Sequence, residues 1–181
     1  MNFKFVLVIS MLLSVNSMAA EKLSIETVFD NYKLALQSYD TDKITRLIHP
    51  EELKRFRAAF DVALLGEKAH EAEKALLPLF SVTSVEKYSE LSDRDVYVRM
   101  NEFVLKNQTS MVDSLRLSQI KLLNVSINDD LANVKYSLAM NIEGRDAHSE
   151  VIQKLKIHDG EWLLLLPHNA EATISKIKAS F

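Results

Sequence analysis

The chain has no cysteine, only three glycines and three prolines, and a single tryptophan. The missing cysteine excludes a disulfide framework, thiol catalysis, cysteine-based zinc sites and a lipidated-cysteine anchor. So little glycine and proline leaves no glycine-rich phosphate loop and no linker at which the chain would divide. A strong charge of one sign is missing too. There are 22 basic and 25 acidic side chains, a formal net charge of −3, and that balance argues against a nucleic-acid partner. No serine-nucleophile elbow interrupts the sequence. The five histidines show no metal-ligand spacing: His148 and His158 would share a strand face but stand roughly 33 Å apart on an extended strand. Neither a metal nor a cofactor is expected.

What is present begins with a leader. Lys4 precedes an apolar core from Phe5 to Val15 and then "SVNSMAAE", the charged, apolar and small-residue order of a secretory signal. Ser17 and Ala19 fit the small positions before a cleavage site. Residues 1–19 are therefore expected to be removed, leaving 20–181 as one periplasmic or secreted domain. Cleavage would take Lys4 with it and move the net charge to −4. The apolar core falls short of the ~20 residues of a spanning helix, so no stable membrane anchor is expected afterwards.

The first half then reads as helices. Ile25, Val28, Phe29, Tyr32, Leu36 and Tyr39 follow three-and-four spacing, the apolar stripe of a long helix. Asp40 is placed to cap a short helix with Ile44, Leu47 and Ile48 inward. Pro50 suits the first residue of the next, with Glu51 and Glu52 near its positive end. Leu53, Phe56, Phe60 and Leu64 make that helix's stripe, and Gly66 is its stop. "EKAHEAEKALLPLF" is helical until Pro78 ends or kinks it. "SDRD" is a capping box opening a helix with Val96, Met100, Phe103 and Val104 inward.

The second half reads as strands. "ANVKYSLAMNIEG" alternates, with Val134, Tyr136, Leu138, Met140 and Ile142 on one face. Gly144-Arg145 suits a two-residue hairpin turn with glycine first, which would set Tyr136 opposite Gln153 and Val134 opposite Leu155. Asp159-Gly160 is a second hairpin turn, setting Leu155 opposite Leu164 and Ile157 opposite Trp162. An Asp129-Asp130 turn would set Leu123 opposite Tyr136 and Val125 opposite Val134. Ile120 and Leu122 have the opposite parity to Leu123, Val125 and Ile127, which a bulge near Leu122 or Leu123 would explain. Helices followed by strands give an α+β fold: N-terminal helices packed on a curved antiparallel sheet of about four main strands.

That architecture, closed by "GEWLLLLP", resembles the superfamily named after nuclear transport factor two, the cystatin-like α+β cone. Gly160 and Trp162 match the glycine and tryptophan with which members often end a hairpin, and "LALQSYDTDKITRLIHPEELKRF" resembles the early helices of that group. "YSELSDRDVYVRMNEFVL" resembles a helical segment of some bacterial members. The superfamily holds isomerases, dehydratases, cyclases, scaffold subunits and many secreted proteins, so the resemblance implies a fold and leaves the function open. It carries no catalytic residue onto this chain.

An isomerase or dehydratase in such a cone needs an Asp, Glu or His aimed between sheet and helices. The expected inner strand faces offer none, so no catalytic residue is assigned. Tyr136 and Gln153, with Tyr32, Met140 and Trp162, are the candidates to line a pocket for a small apolar ligand. The competing reading keeps the tyrosines as core and has Tyr136 and Gln153 bond each other. Leu163 and Leu165 point outward opposite Lys156 and Lys154, and Ile152 and Ala139 extend that patch. Either lysine stems shield it or it meets a second copy or an envelope protein. The expected function is thus a non-catalytic binding domain, with a pocket enzyme and a homodimeric assembly module as alternatives.

Overall fold

The computed structural model describes residues 24–181, so the expected leader and its cleavage site lie outside the described residues. Helix α1 (Ile25–Ser38) starts where the Ser24 side chain accepts from the Thr27 amide, and it buries Ile25, Val28, Phe29, Tyr32 and Ala35. Asp40 caps α2 (Thr41–Arg46) by accepting from the Lys43 amide at 3.0 Å. Helix α3 (Pro50–Leu65) begins with proline behind His49, whose ring takes the cap position, and buries Leu53, Phe56, Ala59, Phe60, Ala63 and Leu64. Gly66 follows with an ordinary negative φ. Glycine is needed there because a Cβ would lie 2.9 Å from the Val62 carbonyl oxygen.

Helix α4 (Ala69–Leu76) passes into a 3₁₀ turn, Leu77–Phe80, at Pro78, which has no N–H to continue the α ladder. Short α5 (Val85–Ser89) precedes α6 (Asp93–Asn107), which opens with the full Ser92/Asp95 capping box. Helix α7 (Thr109–Arg116) leads into the strands β1 (Gln119–Asn128), β2 (Leu131–Ile142), β3 (Arg145–His158) and β4 (Glu161–Leu164). They form an antiparallel sheet in sequence order. The expected α+β class holds, with most helices preceding the sheet. Helices α5, α7 and α8 (His168–Ser180) were not foreseen.

The hairpin turns set the register. Asp159 and Gly160 both have positive φ, as a two-residue type I′ turn requires, and Leu155 faces Leu164 as expected. The turn between β2 and β3 corrects the sequence reading. Its central residues are Glu143 (φ 52°) and Gly144 (φ 82°), not Gly144-Arg145. The Asn141 side chain fixes that choice by accepting from the Gly144 amide at 2.9 Å and donating to Asp146 at 2.8 Å. The pairing therefore slips by two residues: Tyr136 faces Val151, Val134 faces Gln153 and Ala132 faces Leu155. A slip of two preserves which face each side chain occupies. In β1 the register shifts between Leu122 and Asn124, so Leu122 takes the expected place of Leu123 opposite Tyr136 and Leu123 is the extra residue of the bulge.

Helix stripes and sheet face share one core. Phe29 of α1 lies 5.2 Å, ring to ring, from Tyr136 of β2. A chain of rings runs through Phe56, Phe60, Phe80 and Tyr88, with Tyr97 against Phe56. The helical half also completes the sheet. Leu164 donates to the Leu47 carbonyl (2.7 Å), and its own carbonyl accepts from His49 (2.9 Å), a parallel bridge at Ile48 that covers the outer edge of β4. Helix α8 docks on α3, where Arg55 makes ion pairs with both Glu171 and Glu52. Phe60 is fully buried among rings, so Phe60→Ala should cost ~3–5 kcal/mol of unfolding free energy in urea titrations.

Candidate functional site

Tyr32 and Tyr136 meet on the inner side of the sheet, each only 4% exposed, with Tyr97 of α6 nearby at 3%. Burial raises the Tyr32 phenol well above its ordinary value, and the Tyr136 and Tyr97 hydroxyls add to the shift. Burial also raises Tyr136 and Tyr97. Three phenols held protonated supply no base near neutrality. Tyr97 was missed in the sequence, although it sits beside Val96 at the start of the α6 stripe.

Gln153 is 2% exposed, and its amide nitrogen donates to the carbonyls of Lys154 (2.9 Å) and Leu165 (2.7 Å). It is therefore bonded to main chain, not to Tyr136, which faces Val151. The side chain ties β3 to the residue after β4. Met140 is half-buried opposite Ala147, and Trp162 is half-buried opposite Ile157. Ala147 and Ile157 lie roughly 33 Å apart along β3, so Met140 and Trp162 stand at opposite ends of the sheet. The five pocket candidates do not converge on one cavity.

Two open hollows lie elsewhere. One, of about 480 Å³, is lined by residues that include Lys87, Glu90, Asp95 and Arg99. Arg99 donates to the Phe80 carbonyl at 3.0 Å, and Asp95 is held below the usual carboxylate range by its bonds to Ser92. Both groups therefore serve the local fold. The second hollow, of about 240 Å³, lies around Arg57, Asp61 and Tyr88. There Arg57 donates to the Leu91 and Ser89 carbonyls and sits 5.4 Å from the Tyr88 ring centroid, while the Tyr88 hydroxyl donates to Asp61 at 3.0 Å. These contacts join α3 to α5 and the start of α6. Among the described residues, no group of three or more His, Asp or Glu side chains could hold a metal ion.

The outer sheet face differs in kind. Leu163 faces Lys156, and Leu165 donates its amide to the Lys154 carbonyl, so both leucines lie beside the lysines expected. They are half-buried, whereas Ile152, the next outward residue along β3, is 59% exposed opposite Lys135. Ala139 does not join them. It pairs with His148, roughly 20 Å along β3 from Lys154. Leu131, 42% exposed and opposite Lys156, takes its place in the patch. Its position directly after the Asp129-Asp130 turn hid it from the alternation pattern.

No protein-family model matches the chain, and no curated protein matches it. Gln153→Leu keeps the volume but leaves the Leu165 carbonyl without this donor. It should cost about 1–3 kcal/mol in chemical unfolding, with Leu165 amide and carbonyl shifts moving in NMR spectra.

Proposed function

We propose that the protein is an exported, non-catalytic domain that acts by association, pairing with a second copy of itself through the outer face of its sheet. The export part of this reading rests on the leader-like residues 1–19. The association part rests on one observation above all: the most exposed apolar side chain of the outer strand faces, Ile152, stands between the lysines and the carboxylates that β3 places on that face.

Along β3, Lys154 and Lys156 lie on one side of Ile152, and Glu150, Asp146 and the turn residue Glu143 lie on the other; Lys135, across from Ile152, is ion-paired with Glu150, and Lys121 of β1 shares the acidic side. Leu131, Leu163 and Leu165 add apolar surface at the basic end, and Ser137 and Ala139 keep the acidic end low. The charge order along β3 is complementary to itself. A two-fold axis running between two sheets and across their strands, near Glu150 and Ile152, sets each basic end over the partner's acidic end. Face-to-face sheets pack about 10 Å apart, and a self-complementary patch is what a two-fold dimer uses.

The inner face offers less to a ligand, because Tyr32, Tyr136 and Gln153 are packed and bonded within the core. Supporting a pocket enzyme would require a carboxylate or imidazole among them, and the raised phenols provide no substitute. Sedimentation velocity across a concentration series tests the proposal. The wild-type protein should dimerise reversibly, and Ile152→Glu should weaken the dimer about 30-fold or more, the effect of a central hot spot worth ~2 kcal/mol, without lowering the Tm measured at concentrations where both proteins are monomeric. A wild-type protein that stays monomeric at high concentration would overturn it.

A further inference from the structure

We propose that His49 and His158 form an acid-sensitive latch, whose protonation releases the Leu47–His49 segment from the edge of β4. The observations come from both halves of the molecule. His49 is 7% exposed, and it sits at the N-terminal cap of α3 immediately after Ile48, the residue bridged to Leu164. Its Nδ1 accepts the Glu51 amide at 3.2 Å, so that nitrogen carries no proton in the closed arrangement. The ring packs edge-on against His158 of β3 with centroids 4.7 Å apart. A buried imidazole acting as an acceptor therefore lies against a second imidazole at the seam between helices and sheet.

Protonating His49 has two local consequences. The proton occupies the lone pair that takes the Glu51 amide, so the cap bond is lost. It also places a positive charge in a buried site near His158 and Lys156. The charged groups around the ring are Glu51 and Glu52 on α3 and Lys156 and His158 on β3. Beyond them lie Asp159, 3.6 Å from His158, and Glu161, paired with His158 across the hairpin. The two α3 carboxylates oppose the shift. Burial first, then His158 and Lys156, outweigh them and hold His49 below the ordinary histidine value. The open state therefore binds the proton more readily than the closed one. Latch stability is complete above the ordinary histidine value of ~6.5 and falls as the pH drops through it toward the lower closed-state value.

Backbone amide exchange in the full-length protein reads the latch at two reporters, the Leu164 amide bonded to Leu47 and the His49 amide bonded to Leu164. After correction for intrinsic exchange, their protection should weaken several-fold between pH 7.5 and pH 5, while central β2–β3 amides keep theirs. His49→Asn retains a capping side chain that does not titrate, and its two reporters should hold equal protection at both pH values. His158→Gln should raise the midpoint toward the ordinary histidine value. An NMR titration of wild-type protein gives the answer without a variant: the Leu164 amide shift should follow the His49 ring midpoint. Reporters indifferent to acid in the wild type, an unchanged acid response in His49→Asn, or a Leu164 amide that ignores the His49 titration would each overturn the latch.

Discussion

Two hydrogen bonds to Leu164 tie the helical half to the edge of the sheet. Its amide donates to Leu47 and its carbonyl accepts from His49, while the same residue pairs with Leu155 on its other side. A strand of four residues is thereby bonded on both edges, although it closes the sheet. Leu164 and Leu166 point into the core, Leu163 and Leu165 outward. The run of four leucines thus serves two surfaces. The inward members fill the space beneath the helices, and the outward members lie beside Lys156 and Lys154.

From that closure follows the contrast between the two sides of the sheet. The middle of the inner side is packed with aromatic rings, and its buried polar groups are spent on internal bonds. Gln153 serves the main chain, and the tyrosines stay neutral because burial penalises their ionised forms. The outer side keeps Ile152 and Leu131 exposed, with lysines and carboxylates on either side of Ile152 along β3, which is the basis of the proposed association.

Local signals in the sequence were legible wherever a local rule decides the structure. The stripes of α1 and α3, Pro50 at a helix start, the Ser92 capping box and the β1 bulge all follow from spacing and caps. Strand faces were legible because side chains alternate with period two, and a slip of two leaves that parity intact. The partners were not. A glutamate in the left-handed region announces nothing, and the turn depends on the Asn141 side chain. This slip removed the supposed pairing of Tyr136 with Gln153. Helix α8 did leave a trace, since Ala170, Ile174 and Ile177 recur at helical spacing after Pro167. The bridge from Ile48 to Leu164 left none, because contacts between distant segments have no local period.

The central claim is that two copies meet through their outer sheet faces, basic end over acidic end. Zero-length carbodiimide cross-linking of an equimolar mixture of ¹⁴N- and ¹⁵N-labelled protein, read by mass spectrometry, tests it most directly. Lys156 and Asp146 lie roughly 33 Å apart along one strand, too far to join within a chain. The account predicts mixed-isotope products linking Lys156 to Asp146 or to the adjacent Glu143, and their loss when the protein is diluted to monomer. Finding no mixed-isotope product between the lysines and carboxylates of this face, at concentrations where the protein associates, would contradict it.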